Sequence, residues 1–475
     1  MNISILLPLV AYLCFVFGVA FYAYRKRQQG NFLSEYYVGG RSMSGFVLAM
    51  TIAATYVGAS SFIGGPGAAY KYGLGWVLLA MIQVPAVILS LGILGKKFAI
   101  LARKTNSITI NDMLFARYKS PVVVWLSSFA LLLSFFAMIV VQFIGAGRLL
   151  ETTLGISYTS AILIFAITVG LYTFIGGFRA VVLTDTIQGL VMLVGTTLLL
   201  GGVIYAAGGV ENAVNQLETI NPQLIEPYGI DERPLDLTFM ASFWVLVCFG
   251  LIGLPSLAVR SMAYKDSKSL HNGMIIGTIV VAVLMLGMHL SGALGRAVAP
   301  DLKVVDQVIP TLMLKVLPPV VAGIFLAAPM AAIMSSIDSM LIQSSSTMIK
   351  DLYLAIRPQA VENESRIKLF STLATLLLTL FALILAFNPP DMLIWLNLLS
   401  LGGLESTFLW VIVLGLYWDK ANATGAICSM IAGLASYVIM ASFGITFLSF
   451  HTIVPALFIG LVGFLIGNLF GNKKS

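Results

Sequence analysis

Two carboxylates lie where a carboxylate is costly. Asp185, in Leu183-Thr-Asp-Thr-Ile-Gln-Gly189, and Asp338, in Met334-Ser-Ser-Ile-Asp-Ser-Met340, both sit inside long apolar stretches. Acidic groups in such surroundings default to ion or substrate pathways. Ser335, Asp338, Ser339 and Ile342 recur at i, i+3, i+4 and i+7, which is one face of a helix. Ser336, Ser339 and Gln343 share an overlapping face. Hydroxyls and carboxylates aimed one way make a hard oxygen cage, suited to hard cations rather than transition metals. Two facing carboxylates repel unless a cation sits between them. Two structural roles compete with this reading. Asp185 could form a helix-end ion pair with Arg179, and the serine hydroxyls could bond back to the preceding turn. The run of hydroxyls from Ser335 to Thr347 favours a site.

The elements that must position these groups follow from composition. The chain has 475 residues, 59% hydrophobic and only 10% charged, with a mean hydropathy of +0.98. Ordinary soluble domains carry about 25% charge. The balance excludes a soluble globular protein, a disordered chain and a nucleic-acid binder, and it implies an all-α polytopic membrane protein. At about 20 residues per crossing we expect about thirteen spans. They cover roughly 4–24, 43–65, 75–97, 121–147, 155–175, 180–206, 239–260, 272–295, 319–347, 367–387, 391–417, 424–445 and 450–470. The first stretch is followed by Arg25, Lys26 and Arg27 rather than a small-residue cleavage site, which argues for a retained helix. With the N-terminus outside, only Lys71, Arg148, Arg233, Arg296, Lys303 and Lys315 of the 27 basic residues fall outside. That asymmetry favours a cytoplasmic C-terminus. Nothing divides the chain, so residues 1–475 read as one membrane domain.

Two spans are interrupted. The second reads Thr51-Ile-Ala-Ala-Thr-Tyr-Val-Gly-Ala-Ser-Ser-Phe-Ile-Gly-Gly-Pro-Gly67. The seventh reads Trp244-Val-Leu-Val-Cys-Phe-Gly-Leu-Ile-Gly-Leu-Pro-Ser256. If the second opens a five-helix repeat, the seventh opens another, and an odd number of spans inverts it. Broken helices at matching places point to a transporter site near the midplane. Glycines could instead serve close helix packing. Gln83 and Gln142 are uncharged candidates, with interhelical hydrogen bonding as their plainer role. Glu405, in Gly402-Gly-Leu-Glu-Ser406, could bond to backbone at a local break. His271, His289 and His451 are far apart and read as structural. Cys14, Cys248 and Cys428 form no disulfide or metal spacing. There is no H-E-x-x-H, G-x-S-x-G, Walker A or G-x-G-x-x-G motif. Transport without a nucleotide loop must draw on an ion gradient. An intramembrane enzyme and a passive channel remain as readings of other classes.

The chain resembles the solute:sodium symporter family over essentially its whole length. The specific stretches are Ser60 to Trp76 (SSFIGGPGAAYKYGLGW), Leu114-Phe-Ala-Arg-Tyr118, Gly176-Gly-Phe-Arg-Ala180, and Gly323 to Ser336 (GIFLAAPMAAIMSS). The resemblance implies a LeuT-type core of two inverted five-helix repeats, 43–206 and 239–417. One extra helix (4–24) precedes the core and two (424–470) follow it. It implies Na+ as coupling ion, held by the carbonyls of Ala54, Val57 and Ala332 and the hydroxyls of Ser335 and Ser336. Some members resemble this chain at Asp185 and hold a second sodium there, completed by hydroxyls at positions matching 335, 338 and 339. Position 338 here is Asp338, so a site of Asp185, Asp338 and Ser339 could bind an ion more strongly, bind a proton or be absent. Thr55, Tyr56, Gln142, Trp244 and Cys248 are the expected substrate contacts, with Trp244 and Cys248 one turn apart at the seventh-span break. The expected activity is sodium-coupled uptake of pantothenate across a bacterial inner membrane by alternating access. Proline, a sugar acid or another small carboxylate are the alternatives. No Arg lies near the predicted midplane, so a half-helix N-terminus or bound sodium is expected to meet the substrate anion.

Overall fold

The structure, a computed structural model, describes residues 3–25, 41–173, 178–230, 233–359 and 364–471. Among the described residues the only paired strands are Gly229–Ile230 and Arg233–Pro234, a short antiparallel hairpin. Everything else that is regular is helical. The elements that matter here are α1 (Ile3–Arg25), α2 (Gly45–Tyr56), α3 (Gly65–Tyr72), α4 (Pro121–Leu154), α5 (Phe178–Ala206), α6 (Leu237–Trp244), α7 (Pro255–Ser261), α8 (Ser267–Val298), α9 (Ala327–Ser346), α10 (Leu393–Tyr417), α11 (Ala423–Ser442) and α12 (Ile453–Phe470).

Each of the expected apolar stretches carries helix. By length and hydropathy, nine helices of the described residues can cross a membrane, or eleven if each of two bent pairs counts as one span. The first and fifth expected spans hold shorter apolar segments, Leu6–Val19 and Tyr158–Gly170. Among the described residues, length and composition therefore account for nine to eleven of the thirteen crossings expected.

The pattern of burial is that of a body in lipid. Large apolar side chains such as Phe129, Ile167, Leu377 and Phe458 face outward, where acyl chains rather than water would meet them. The polar groups point inward instead. All twenty residues of α9 are buried. Its sequence is rich in Ala and Ser, and small side chains let neighbouring helices approach on every side. That burial makes α9 the axis around which the candidate site is built.

The two interrupted spans are broken as the glycines and prolines suggest. After α2 the chain bends by 67° before Ser60–Tyr72. Val57 closes α2 at φ −91° and ψ 97°, which turns its carbonyl off the helical ladder. A π-helical turn, Ser60–Gly64, then leads into α3, with Pro66 in its first turn. The second break bends by 45° between Leu237–Gly253 and α7. Here a π-helical turn (Val245–Phe249) runs into a 3-10 turn (Gly250–Gly253), and Pro255 starts α7. Proline is well placed there, since the first helical turn has no use for its missing N–H.

Close packing fixes the broken segment of α3. A β-carbon at Gly292 of α8 would overlap the Pro66 carbonyl and lie 2.7 Å from Pro66 Cα. Backbone cannot retreat as a flexible side chain can. We expect Gly292→Ala to part α8 from α3 and to destabilise the protein by about 1–3 kcal/mol. Thermal unfolding of the purified protein in detergent checks this. The midpoint should fall, whereas Gly201→Ala, inside a helix with open space around it, should leave it unchanged or raise it slightly.

Candidate functional site

Oxygen atoms converge where α9 passes the first break. The Ser335 hydroxyl donates to the Ala54 carbonyl at 2.7 Å and to the Ala332 carbonyl at 3.1 Å. The Ser336 hydroxyl reaches the carbonyls of Ala54 and Thr55 at 3.4 and 3.3 Å. Ala54, Ala332, Ser335, Ser336 and Val57 are all buried. Ala54 and Thr55 lie in the last turn of α2, whose carbonyls lack onward helical partners because the chain bends away. The donors are neutral, hard oxygens on two separate elements, a set that fits a small hard cation. Ser335 also bonds back within its own helix, so the packing role and the site role coexist in one residue.

The amide just after the break is satisfied from a third element. Gln142 of α4 accepts from the Ala59 N–H at 2.9 Å. A β-carbon at Gly58 would lie 2.7 Å from Ser336 Oγ and 3.0 Å from Gln142 Oε1, so only glycine allows α4 and α9 to close on the break together. Tyr56 donates its hydroxyl to Gln83 Oε1 at 2.5 Å. Both glutamines thus make the interhelical bonds expected of them, and both also line a cavity of about 70 Å³ beside the break.

Asp185 has a partner that the sequence reading lacked. Arg260, in the last turn of α7, is wholly buried. Its Nη2 stands 3.3 Å from Asp185 Oδ2 and donates to Ser339 Oγ at 2.8 Å. Its Nε donates to the carbonyl and hydroxyl of Thr51, and Nη1 to the Ser256 carbonyl. Thr51 Oγ1 in turn donates to Asp185 at 2.6 Å. The ion pair seen is with Arg260; the pairing expected with Arg179 falls on a side chain outside the described residues. The burial of Arg260 adds a cation to the protein interior that the sequence reading counted among the cytoplasmic flanking charges. Arg260 stood at the cytoplasmic edge of the predicted seventh span, but its guanidinium reaches inward to α2, α5 and α9. Asp338 is buried on α9 and stands within electrostatic reach of Tyr12 on α1. Ser339 joins Arg260 to Thr55 through a 3.3 Å hydroxyl contact.

Thr55, Tyr56 and Gln142 line the cavity, as expected of substrate contacts. Trp244 and Cys248 do not. Trp244 is 44% exposed and packs against Phe249. Cys248 is fully buried. The reason is local: residues 245–249 are π-helical, with i→i+5 bonding, so residues four apart no longer share the α-helical face. Val247 and Leu254 occupy the wall instead. Trp76, His289 and Asn397 also line the cavity, and none was singled out for this from the sequence. Trp76 stands edge-on to Phe243 and Trp395. The clustering of aromatic residues from three distant segments leaves no short motif to find. Among the described residues no group of three or more His, Cys, Asp or Glu could hold a metal ion.

Residues 36–433 match the sodium:solute symporter family. The chain belongs to that family. It is 67% identical over 474 residues to the sodium/pantothenate symporter of Haemophilus influenzae, covering 100% of this chain and 98% of that one. It is 64% identical over 473 residues to the Escherichia coli sodium/pantothenate symporter, with the same coverage. Among solved structures it resembles a substrate-bound, outward-open Na+-coupled sialic acid symporter, with a TM-score of 0.81 at 18% identity over 100% of this chain and 99% of that one. The symporter fold, of LeuT type with a broken helix opening each repeat, accounts for both bends. This family member is therefore a multi-pass membrane protein of a sodium-coupled carrier family.

The buried pair gives a testable contrast. Removing one partner leaves an uncompensated charge, which costs about 3–5 kcal/mol. Arg260→Leu alone should lower the unfolding midpoint strongly. Asp185→Asn combined with Arg260→Leu should recover much of that loss. A double-mutant cycle by thermal unfolding measures the coupling, and additive losses would contradict the pairing.

Proposed function

We propose that the protein carries pantothenate into a bacterial cell together with sodium, by alternating access across the inner membrane. The observation that carries the substrate is the 67% identity over the full chain to a sodium/pantothenate symporter. The N-terminus lies outside and the C-terminus in the cytoplasm on this reading, as the distribution of basic residues favours. The first repeat spans 43–206 and the second 239–417, with one helix before and two after, in a single domain. The reading makes the protein a carrier, not an enzyme.

Sodium is a transported substrate here. We assign its ligands as the carbonyls of Ala54, Val57 and Ala332 with the hydroxyls of Ser335 and Ser336. The 2.7 Å approach of Ser335 to Ala54 supports that assignment. A cation would accept oxygen lone pairs from the same atoms while the hydroxyl protons turn away. A second ion at Asp185, Asp338 and Ser339 would compete with Arg260, which already offers a charge to Asp185 and a proton to Ser339. One sodium with one carboxylate substrate moves no net charge, so uptake would be indifferent to membrane potential.

Binding sodium ties α2 to α9 and so fixes the position of Thr55 and Tyr56, which line the cavity. The ion thereby couples to the substrate without touching every part of it. A cavity of about 70 Å³ is below the several hundred cubic ångströms of ordinary ligand pockets. Helices around it must part for a substrate to enter, and the chain at the first break, where the helical ladder is interrupted, is where they can do so.

Proteoliposomes of the purified protein should accumulate labelled pantothenate only under an inward sodium gradient. Ser335→Ala should raise the half-saturating sodium concentration about tenfold, equivalent to about 1.4 kcal/mol, with a smaller effect on pantothenate at saturating sodium. Accumulation without sodium would refute the coupling. Failure of pantothenate to accumulate while proline or a sugar acid does would refute the substrate.

A further inference from the structure

Glu405 is the deepest acidic group not used above. It lies mid-way along α10, a continuous helix, and is fully buried. Neither of its carboxylate oxygens has a hydrogen-bond partner among the described residues. The backbone break beside it belongs to another element. A β-carbon at Gly250 would overlap the Glu405 carboxylate and lie 2.8 Å from the Val245 carbonyl. Glycine at 250 thus lets the carboxyl lie directly against the π-to-3-10 junction of the second broken helix. The plainer expectation, a backbone bond at a break in its own span, is not what the structure contains.

An ionised carboxylate with no hydrogen-bond donor from the described residues is too costly to persist in such a place. It needs a proton or another cation. Sodium takes several oxygens, and no hydroxyl hydrogen-bonds Glu405. The one phenol within electrostatic reach on the first broken helix, Tyr56, spends its proton on Gln83. A proton needs only the carboxylate itself. The geometry points to Glu405 as a proton-binding site whose occupancy sets the affinity of the neighbouring cavity for an anionic substrate.

The link to the cavity is short. Leu401, one helical turn before Glu405, lines it, as do Val247 and Leu254 on either side of the broken turn and Tyr56. A proton on Glu405 leaves the region neutral. Its loss places a negative charge beside the site that receives a carboxylate. Repulsion between two such charges in a poorly screened interior is worth about tenfold in affinity or more. The neighbouring titratable groups do not offset it. Tyr56 on the first broken helix and Tyr437 on α11 are within electrostatic reach of Glu405, and Cys248 on the second broken helix is near Tyr56. All three are ordinarily neutral around pH 7. On α4 the ionisable residues are Arg148 and Glu151, near its C-terminal end, and α12 has none. Arg117 and Tyr118 reach α10 only at the carbonyls of Gly415 and Val411. His289 of α8 lines the cavity too, so the test must separate it from Glu405.

The affinity half of this inference rests on the pantothenate reading; the proton itself does not. In proteoliposomes with a fixed sodium gradient, pH is varied equally on both sides between about 5.5 and 8.5. An ordinary carboxylic acid such as pantothenate stays ionised throughout. The wild-type KM for pantothenate should rise about tenfold with pH. Glu405→Gln, which keeps the shape and cannot ionise, should hold a low KM at every pH. A pH dependence that survives in Glu405→Gln overturns the proposal and points to His289. Loss of transport in folded Glu405→Gln also overturns it, since the charge itself would then be needed. Infrared difference spectra of the full-length protein supply the second readout. A protonated-carboxyl band should be present in the wild type at low pH, shift in Glu405→Asp and be missing in Glu405→Gln. Its absence from the wild type overturns the proton site. If the band titrates but even the wild type carries no pantothenate, the substrate reading has failed and the proton site stands.

Discussion

Lipid offers a peptide group no hydrogen bond, and this molecule breaks two of its helices inside it. Every N–H and C=O released at the breaks therefore needs a partner from protein, ion or substrate. The candidate site is the set of groups that meet this need. Ser335 and Ser336 cover the carbonyls at the end of α2. Gln142 covers the amide at Ala59. Arg260 adds bonds to carbonyls within the helices on either side, Thr51 of α2 and Ser256 of α7, and so ties the two broken spans together.

The same constraint explains why the elements are unequal in composition and in the contacts they make. α9 is enclosed on all sides and made of small residues, so it can serve as a fixed wall. The broken spans touch it through hydroxyls and a guanidinium. Such contacts are directional and few, and each can be exchanged for an ion or a water at modest cost. Close glycine contacts hold the flanks: Gly292 against Pro66, and Gly253 against the backbone of Leu409. A carrier needs this mixture. Packed flanks keep the helices in register while the polar centre has two arrangements of similar energy.

Much of this was legible in the sequence, and the legible parts share a cause. The breaks were visible because Gly and Pro act locally, through φ and the missing N–H. The hydroxyl face of α9 was visible because helical periodicity is local too, and Ser335 and Ser336 do face the end of α2. Arg260 was hidden. It stands in Leu257-Ala-Val-Arg-Ser-Met-Ala263 and counted equally well as a cytoplasmic flanking charge. Its apolar neighbours on both sides were the available signal. Trp244 and Cys248 were misplaced because one π-helical turn shifts the facing register, and nothing in residues 245–249 announces that turn. The aromatic wall around Trp76, Phe243 and Trp395 joins distant segments, which no local pattern can record.

Charge placement follows from the same physics and limits the mechanism. The interior holds Asp185 and Arg260 as a pair, so their charges largely cancel where they stand. Arg260 is too engaged, through all three guanidinium nitrogens, to serve also as a clamp for a substrate carboxylate. An anion reaching the cavity must then find positive potential elsewhere. The oxygen cluster at Ala54 and Ser335 can supply it only when a cation is bound there, because every atom of that cluster is an acceptor or a neutral hydroxyl. Anion binding is in that case conditional on the cation, and by reciprocity the anion strengthens the cation's hold. Coupling between the two then needs no dedicated gate. On the proposed reading it would arise from a cavity with no Lys or Arg among the described residues that line it, so that a bound ion would supply the missing charge.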